Sequence, residues 1–460
     1  MTTMRRRNFL KSGLGLGAGV GTSLGGALPG MGALAARAAT GSDYKALVCI
    51  VLEGGMDGHD TLIPVTPGAY AQYADARQRL IEDHERAGDD SRARDRLIAL
   101  DDGGAPSGFG MTAQMAPLAA LYRAGAASLV ANVGVLAERT DRAAVQDGRA
   151  RMPPRLGSHN DQRSMWFTGA LEGTSDGLGW GGEMAEAVGA DSPYAGVTFR
   201  NESAFAASAS RPPYKMHPRF ISRPHVVGQG RYDEATRNIV AQHYRASAVR
   251  LDNLFATDFQ NAQRRAVDAS LELYDAAGTS TVGDGIRLDG NALSDQLAMV
   301  ARMIAARGAL GVRRQVFLVQ HRGFDTHVGQ AGKLPLLQAQ LAEAMAAFYQ
   351  ETVRQGVADD VLTFTTAEFG RTLTPNADGT DHGWGNHHVV MGGGVRGGVI
   401  HGEVPEVGIG HDLDWDRGRW IPTLAVEQYA GGIGRWLGVP DDAMARILPR
   451  LAEFGDPLAL

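Results

Sequence analysis

Three acids each follow closely on a short apolar run, an arrangement that can gather metal ligands. Asp57 lies in Gly54-Gly55-Met56-Asp57-Gly58-His59-Asp60-Thr61, Asp325 in His321-Arg322-Gly323-Phe324-Asp325-Thr326-His327, and Glu368 in Ala367-Glu368-Phe369-Gly370-Arg371-Thr372. A fourth polar stretch, Thr380-Asp381-His382-Gly383-Trp384-Gly385-Asn386-His387-His388, leads into another apolar run and a Gly392-Gly393-Gly394 turn. Four of the thirteen histidines lie between His327 and His388. Carboxylates and imidazoles on separate strand ends make a mixed oxygen and nitrogen donor set, which suits a divalent ion, zinc or manganese ahead of calcium, rather than a thiolate or iron–sulfur site.

Each residue also has a structural reading. Asp57 can close a turn or cap a helix, and Asp325-Thr326-His327 can be a helix cap. His387 and His388 alternate along a strand, one inward and one outward, so at most one of them is a ligand. Arg371 is either an anion clamp or the partner of Glu368. What favours the metal reading is their joint placement after successive strands.

A second constellation is Leu156-Gly157-Ser158-His159-Asn160-Asp161-Gln162, just ahead of Met165-Trp166-Phe167-Thr168-Gly169. A serine at a helix N-terminus has backbone N–H groups and the positive dipole end close by, which favours an anionic ester group. Local sequence alone favours a plain N-cap serine.

The elements that must position these residues are legible. Ala46–Leu52 is a short, continuous, β-branched apolar run, as in a strand buried on both faces, and such runs recur at 127–133, 315–320 and 361–366. Helical periodicity predicts helices over 292–306 and 334–351. Strands separated by helices imply an α/β fold, a layered and largely parallel sheet flanked by helices, whose ligands collect at the carboxyl ends of the strands. Residues 75–107, read as a helix followed by an exposed loop, and 202–231, without a steady period, read as insertions in a single domain spanning 39–460.

Residues 1–38 read as a leader. Arg6-Arg7-Asn8-Phe9-Leu10-Lys11 is a twin-arginine signal, Gly13–Leu34 is weakly apolar and carries nine glycines, and Ala36-Arg37-Ala38 offers a signal-peptidase site. The glycines weaken any spanning helix by roughly 1 kcal/mol each against alanine, which argues for a cleaved export segment over an anchor. These features predict twin-arginine export to the periplasm or beyond, with the translocation machinery as partner and no stable membrane span after processing. The net charge of −6 includes five basic leader residues and no leader acid, so the mature chain sits near −11, a balance that argues against nucleic acid. A single cysteine, Cys49, rules out an internal disulfide.

From Ala46 to the C-terminal helices the chain resembles the exported bacterial proteins grouped as domain-of-unknown-function family 1501. The matching pieces are Gly54-Gly55-Met56-Asp57-Gly58 with Thr61 and Pro64, Ser158-His159, Phe324-Asp325-Thr326-His327 with Gln330, Glu368-Phe369-Gly370-Arg371-Thr372, Asp381-His382 and Gly392 to Gly398. That family in turn looks like a divergent branch of the alkaline phosphatase and sulfatase superfamily. The resemblance implies an alkaline phosphatase-like fold, with Asp57 as the first aspartate ligand, Ser158 as the nucleophile, Asp325 and His327 as the aspartate and histidine pair, and His382 as the last histidine ligand. Glu368 and Phe369 stand where the superfamily has a neighbouring aspartate and histidine. Phenylalanine binds no metal, so one nitrogen ligand is missing unless His159, His387 or His388 supplies it.

The implied function is an exported, metal-dependent hydrolase of phosphate or sulfate esters, acting on a small-molecule or glycan ester. Ser158 and Arg371 would be catalytic, and Asp57, Asp325, His327, Glu368 and His382 would hold the metal. The rival is a non-catalytic metal- or ligand-binding protein of the cell envelope, with a degenerate site on the same fold.

Overall fold

The structure, a computed structural model, describes residues 43–172, 177–200, 204–223, 254–460 and isolated positions between 235 and 242. The leader and part of the second insertion fall outside these residues.

Among the described residues the main sheet has nine strands. In chain order they are β1 (Lys45–Glu53), β2 (Ala127–Gly134), β3 (Gly196–Thr198), β4 (Tyr214–Lys215), β5 (Arg314–Arg322) and β6 (Val361–Thr366), followed by β9 (Asn386–Gly392), β10 (Ile400–His401) and β11 (Leu424–Ala425). Two further strands, β7 (Arg371–Asn376) and β8 (Gly379–His382), form a separate hairpin. The sheet runs β10-β2-β9-β6-β1-β5-β3-β4, with β11 on β2. Every pairing is parallel except those of β9, which runs against both β6 and β2. All four predicted apolar runs are strands of this sheet.

Alternation along β1 explains why its sequence is apolar without a break. Ala46, Val48, Ile50 and Leu52 enter one core with helices α2 (Ala292–Ala305) and α3 (Gln330–Arg354), the second longer than the 334–351 predicted. Leu47, Cys49 and Val51 enter the opposite core with α1 (His159–Thr168) and α4 (Val426–Leu437). Both faces are covered, the condition under which a parallel strand loses its polar alternation. The same coverage corrects the expectation for His387 and His388, since both side chains are buried in β9.

Register places the site. Glu53 pairs with Arg322 and Val51 with Thr366, so β1, β5 and β6 end together. The loops that follow them emerge side by side at one sheet edge. Because β9 is antiparallel, the β7/β8 hairpin that feeds it brings His382 to that same edge.

The stretch 75–107 departs from the reading of helix and exposed loop. After a helix at Gln78–Arg86, residues Ile98–Asp102 and Ala105–Met111 pair as a hairpin that also takes up Ile63–Pro64. Two of its arginines do not face water. Arg77 and Arg92 are buried, 1% and 2% exposed, against Asp57 and Asp60.

Candidate metal centre

Asp325 sits at the centre of the site. The β5–α3 loop crosses the end of β1, where the Phe324 N–H donates to the Glu53 carbonyl. Gly54 makes room for that crossing: its φ is +109°, and a Cβ there would lie 2.2 Å from the Asp325 nitrogen. The Asp325 side chain is 47% exposed, so the loop offers it to solvent at the sheet edge.

Three histidines turn their Nε2 atoms toward its carboxylate. His327 and His382 each lie 3.2 Å from Oδ1, and His159 lies 3.5 Å from Oδ2. Ligand atoms of His159, Asp325 and His382 all fall within 4.8 Å of one another, and the Nε2 atoms of His327 and His382 are 2.9 Å apart. Zinc–ligand bonds of about 2.0–2.1 Å in a tetrahedron put neighbouring ligand atoms roughly 3.3 Å apart, the middle of these spacings.

Each of the three imidazoles has an acceptor behind Nδ1. The Gly157 carbonyl stands 2.8 Å from that of His382, Asp381 Oδ1 3.4 Å from that of His327, and Glu368 Oε1 3.7 Å from that of His159. A carbonyl oxygen only accepts, so the His382 Nδ1 carries the proton and its Nε2 presents a lone pair to Asp325 and His327. Lone pairs converging at this range repel unless a cation or a shared proton lies among them. Burial, and next the Arg371 guanidinium, lower the proton affinity of His382, which disfavours the proton. Acceptors behind Nδ1 with Nε2 facing inward are how metal-binding histidines are oriented. The donor set fits a divalent cation.

The surroundings hold charge and orientation in place. Burial works against ionisation of Asp325, yet the hydrogen bond and charge of Arg371 hold its carboxyl at about 2. Burial opposes ionisation of Glu368 too, but His159 and Arg163 outweigh it and the net shift is downward. Phe369 has a positive role: its buried ring packs 4.9 Å from that of His159 and 4.3 Å from that of His382, a floor under both imidazoles.

Asp325, His327 and His382 are thus brought together as the sequence predicts. Asp57 is not with them. Both its oxygens accept from Arg77, at 2.6 and 2.9 Å, and Oδ2 accepts from Gln330 at 2.7 Å. With three bonds accepted and its side chain fully buried, Asp57 is committed to Arg77 and Gln330 and stands apart from the inner residues, so its assignment as a ligand is corrected. Glu368 is also displaced: it is 2% exposed, its oxygens accept from the Gly54 N–H at 3.1 Å and Arg163 at 2.8 Å, and it backs His159 instead of joining the inner set.

Arg371 is corrected as an anion clamp. Its guanidinium is buried and donates to the carbonyls of Gly54, Gly55, Phe324 and Thr380 and, at 2.5 Å, to Asp325 Oδ1. It fastens the loops after β1 and β5 to the hairpin.

Ser158 is the N-cap of α1, between Gly157, which holds His382, and His159. Its Oγ makes no cap bond to the helix backbone and donates to Asp161 Oδ2 at 2.5 Å, while Arg155 holds Asp161 Oδ1 at 2.8 Å. His387 and His388 stay in the core, the first accepting from the Asn132 N–H and the second 3.5 Å from the Thr365 hydroxyl. Of the three histidines left open for the missing nitrogen, only His159, which opens the helix right after Gly157-Ser158, lies beside Asp325.

A family model described as "Protein of unknown function (DUF1501)" matches residues 44–414. No curated protein sequence matches the chain. Among solved structures it is similar to the PsFucS1 sulfatase from Pseudoalteromonas sp., at 9% identity and TM-score 0.35 over 89% of this chain and 70% of that one. It is also similar to the phosphonate monoester hydrolase SpPMH from Silicibacter pomeroyi, at 12% and 0.31 over 87% and 75%, and to the Thermus thermophilus alkaline phosphatase, at 14% and 0.22 over 72% and 60%. Likeness at this level assigns no residue and no chemistry. With the family model covering most of its length, the chain belongs to the DUF1501 family of proteins of unknown function.

Proposed function

We propose that this protein is an exported, metal-dependent hydrolase of phosphate or sulfate esters whose metal is held by His159, Asp325, His327 and His382. The observation that carries the metal is the three-fold repeat of one arrangement: Nδ1 against an acceptor and Nε2 toward Asp325. Zinc or manganese suits a donor set of three nitrogens and a carboxylate better than calcium, which prefers oxygen. A divalent ion there supplies Lewis-acid polarisation of an ester oxygen.

The chain's own groups do the rest. Ser158 Oγ attacks phosphorus or sulfur while its proton passes to Asp161, which already accepts it at 2.5 Å. The bond to the ester oxygen breaks, and the departing alcohol takes up the proton from Asp161; water, giving a proton to Asp161, then attacks the serine ester, and phosphate or sulfate leaves as Ser158 takes that proton back. The N-terminal end of α1 stabilises the anionic group during attack. Arg371 acts at one remove, keeping Asp325 ionised and aimed.

The leader supports export through the twin-arginine machinery to the periplasm or beyond, and among the described residues no helix is long and apolar enough to cross a membrane. A metal-binding envelope protein without turnover remains the second reading. It is favoured by the engagement of Arg371 with backbone carbonyls, which leaves that guanidinium off any substrate anion. Assay of the metal-loaded mature protein on aryl phosphate, aryl sulfate and phosphonate monoesters separates the two: turnover abolished in Ser158→Ala supports the hydrolase, and no turnover with stoichiometric metal supports the binder.

A further inference from the structure

Gln330 is buried, 1% exposed, and both ends of its amide are hydrogen-bonded. Oε1 accepts from the Thr326 hydroxyl at 3.0 Å and the Thr380 hydroxyl at 2.8 Å, and Nε2 donates to Asp57 Oδ2 at 2.7 Å. Thr326 lies between Asp325 and His327, and Thr380 is two residues before His382. One side-chain oxygen therefore ties together the two segments that carry three of the four inner residues. The backbone repeats the tie: the Thr380 N–H donates to the Thr326 carbonyl at 3.1 Å, and the Gln330 N–H to the Asp378 carbonyl at 3.0 Å.

Asp57 fixes which way the amide faces. Its carboxylate only accepts, so the NH2 group of Gln330 must turn to it and Oε1 must turn to the two hydroxyls. Asp57 is itself locked by Arg77, whose Nε and a terminal nitrogen donate to the carbonyls of Leu373 and Thr372 in β7. The chain Arg77, Asp57, Gln330, Thr326 and Thr380 contains no exposed member.

We propose that Gln330, oriented by Asp57, is a positioning residue for the metal centre: it sets the distance between the Asp325/His327 loop and the His382 strand, and with it metal affinity. Resting on the metal-centre reading above, this assigns Asp57 a role through Gln330 in place of direct ligation. Outer partners that orient ligands are worth about 10–100-fold in metal affinity.

The test is zinc and manganese affinity of the mature protein by competition with a chromophoric chelator, alongside the melting temperature of the metal-free protein. Gln330→Leu should bind metal about 10–100-fold more weakly while the metal-free protein still melts cooperatively. Thr326→Val removes one of the two hydroxyl bonds at nearly constant shape, should weaken affinity about tenfold, and decides the matter if Gln330→Leu does not fold. Gln330→Glu places two carboxylates together and should lose affinity, whereas adding Asp57→Asn restores a donor facing an acceptor and should recover most of it. Wild-type affinity in Gln330→Leu, or in Thr326→Val if that must decide, overturns the proposal. A wild-type protein that binds no metal overturns the metal-centre reading itself, a different failure.

Discussion

The Nε2 atoms of His327 and His382 face each other at 2.9 Å, with Asp325 Oδ1 3.2 Å from both. In His382 the proton is committed to Nδ1 by the Gly157 carbonyl, so at least one lone pair points into the gap. That contact makes sense of the whole edge. The strand register brings the loops together, Phe369 floors the rings, and Arg371 keeps the central carboxylate charged.

Arg371 is expected to matter for folding first. Arg371→Gln leaves backbone carbonyls from two loops and strand β8 without their donor and should lower stability by on the order of 3 kcal/mol or more, because buried acceptors stripped of a partner bear the full desolvation cost. Urea unfolding of the metal-free protein measures it. A variant as stable as wild type that has lost only turnover would return Arg371 to the role of anion clamp.

Acid should destabilise the protein through its buried histidines. Burial lowers His388 to about 3 and His387 to about 3, and His321, despite its bond to the Leu337 carbonyl, to about 4. All three are neutral in the folded chain and protonate on unfolding near the ordinary value of 6.5, so the stability they contribute is complete above pH 6.5 and is lost as pH falls toward 4. Each proton taken up contributes a slope of about 1.4 kcal/mol per pH unit. His388 packs against Trp166 and Tyr429, and its Nε2 has no hydrogen-bond partner among the described residues. His388→Phe should therefore flatten the pH 5–6 slope by up to one proton, measured by urea unfolding with chelator present. An unchanged slope would mean that His388 is already protonated in the fold.

If Ser158 is the nucleophile and Asp161 its proton acceptor, Ser158→Ala and Asp161→Asn should each lower ester turnover by about 10²–10⁴-fold with metal content unchanged. Parallel kinetics and metal analysis of the two variants decide it. Full activity in Ser158→Ala would leave Ser158 and Asp161 as a helix cap and shift the attack to a water.

How much of this was legible depended on whether a residue's partner lies near it in sequence. The four central strands were readable because burial on both faces leaves unbroken apolar runs. Asp325 and His327 were readable because they follow β5, which ends level with β1 and β6, and His382 because it stands just ahead of the apolar run of β9. Asp57 was misassigned because nothing around it announces Arg77, twenty residues on in a charged stretch that reads as solvent-facing. Arg371 was misassigned because its partners are mostly carbonyls, which every residue has and no motif records. Glu368 fell one position outward for a related reason: it backs His159, which belongs to a helix start and not to a strand end.

The most direct test is the metal content of the mature protein purified from the exported fraction, beside a variant carrying Asp325→Ala and His327→Ala. The account predicts stoichiometric zinc or manganese in the first and its loss from the second, with the fold retained. A folded wild-type protein that holds no metal and takes up none when zinc or manganese is supplied would contradict it.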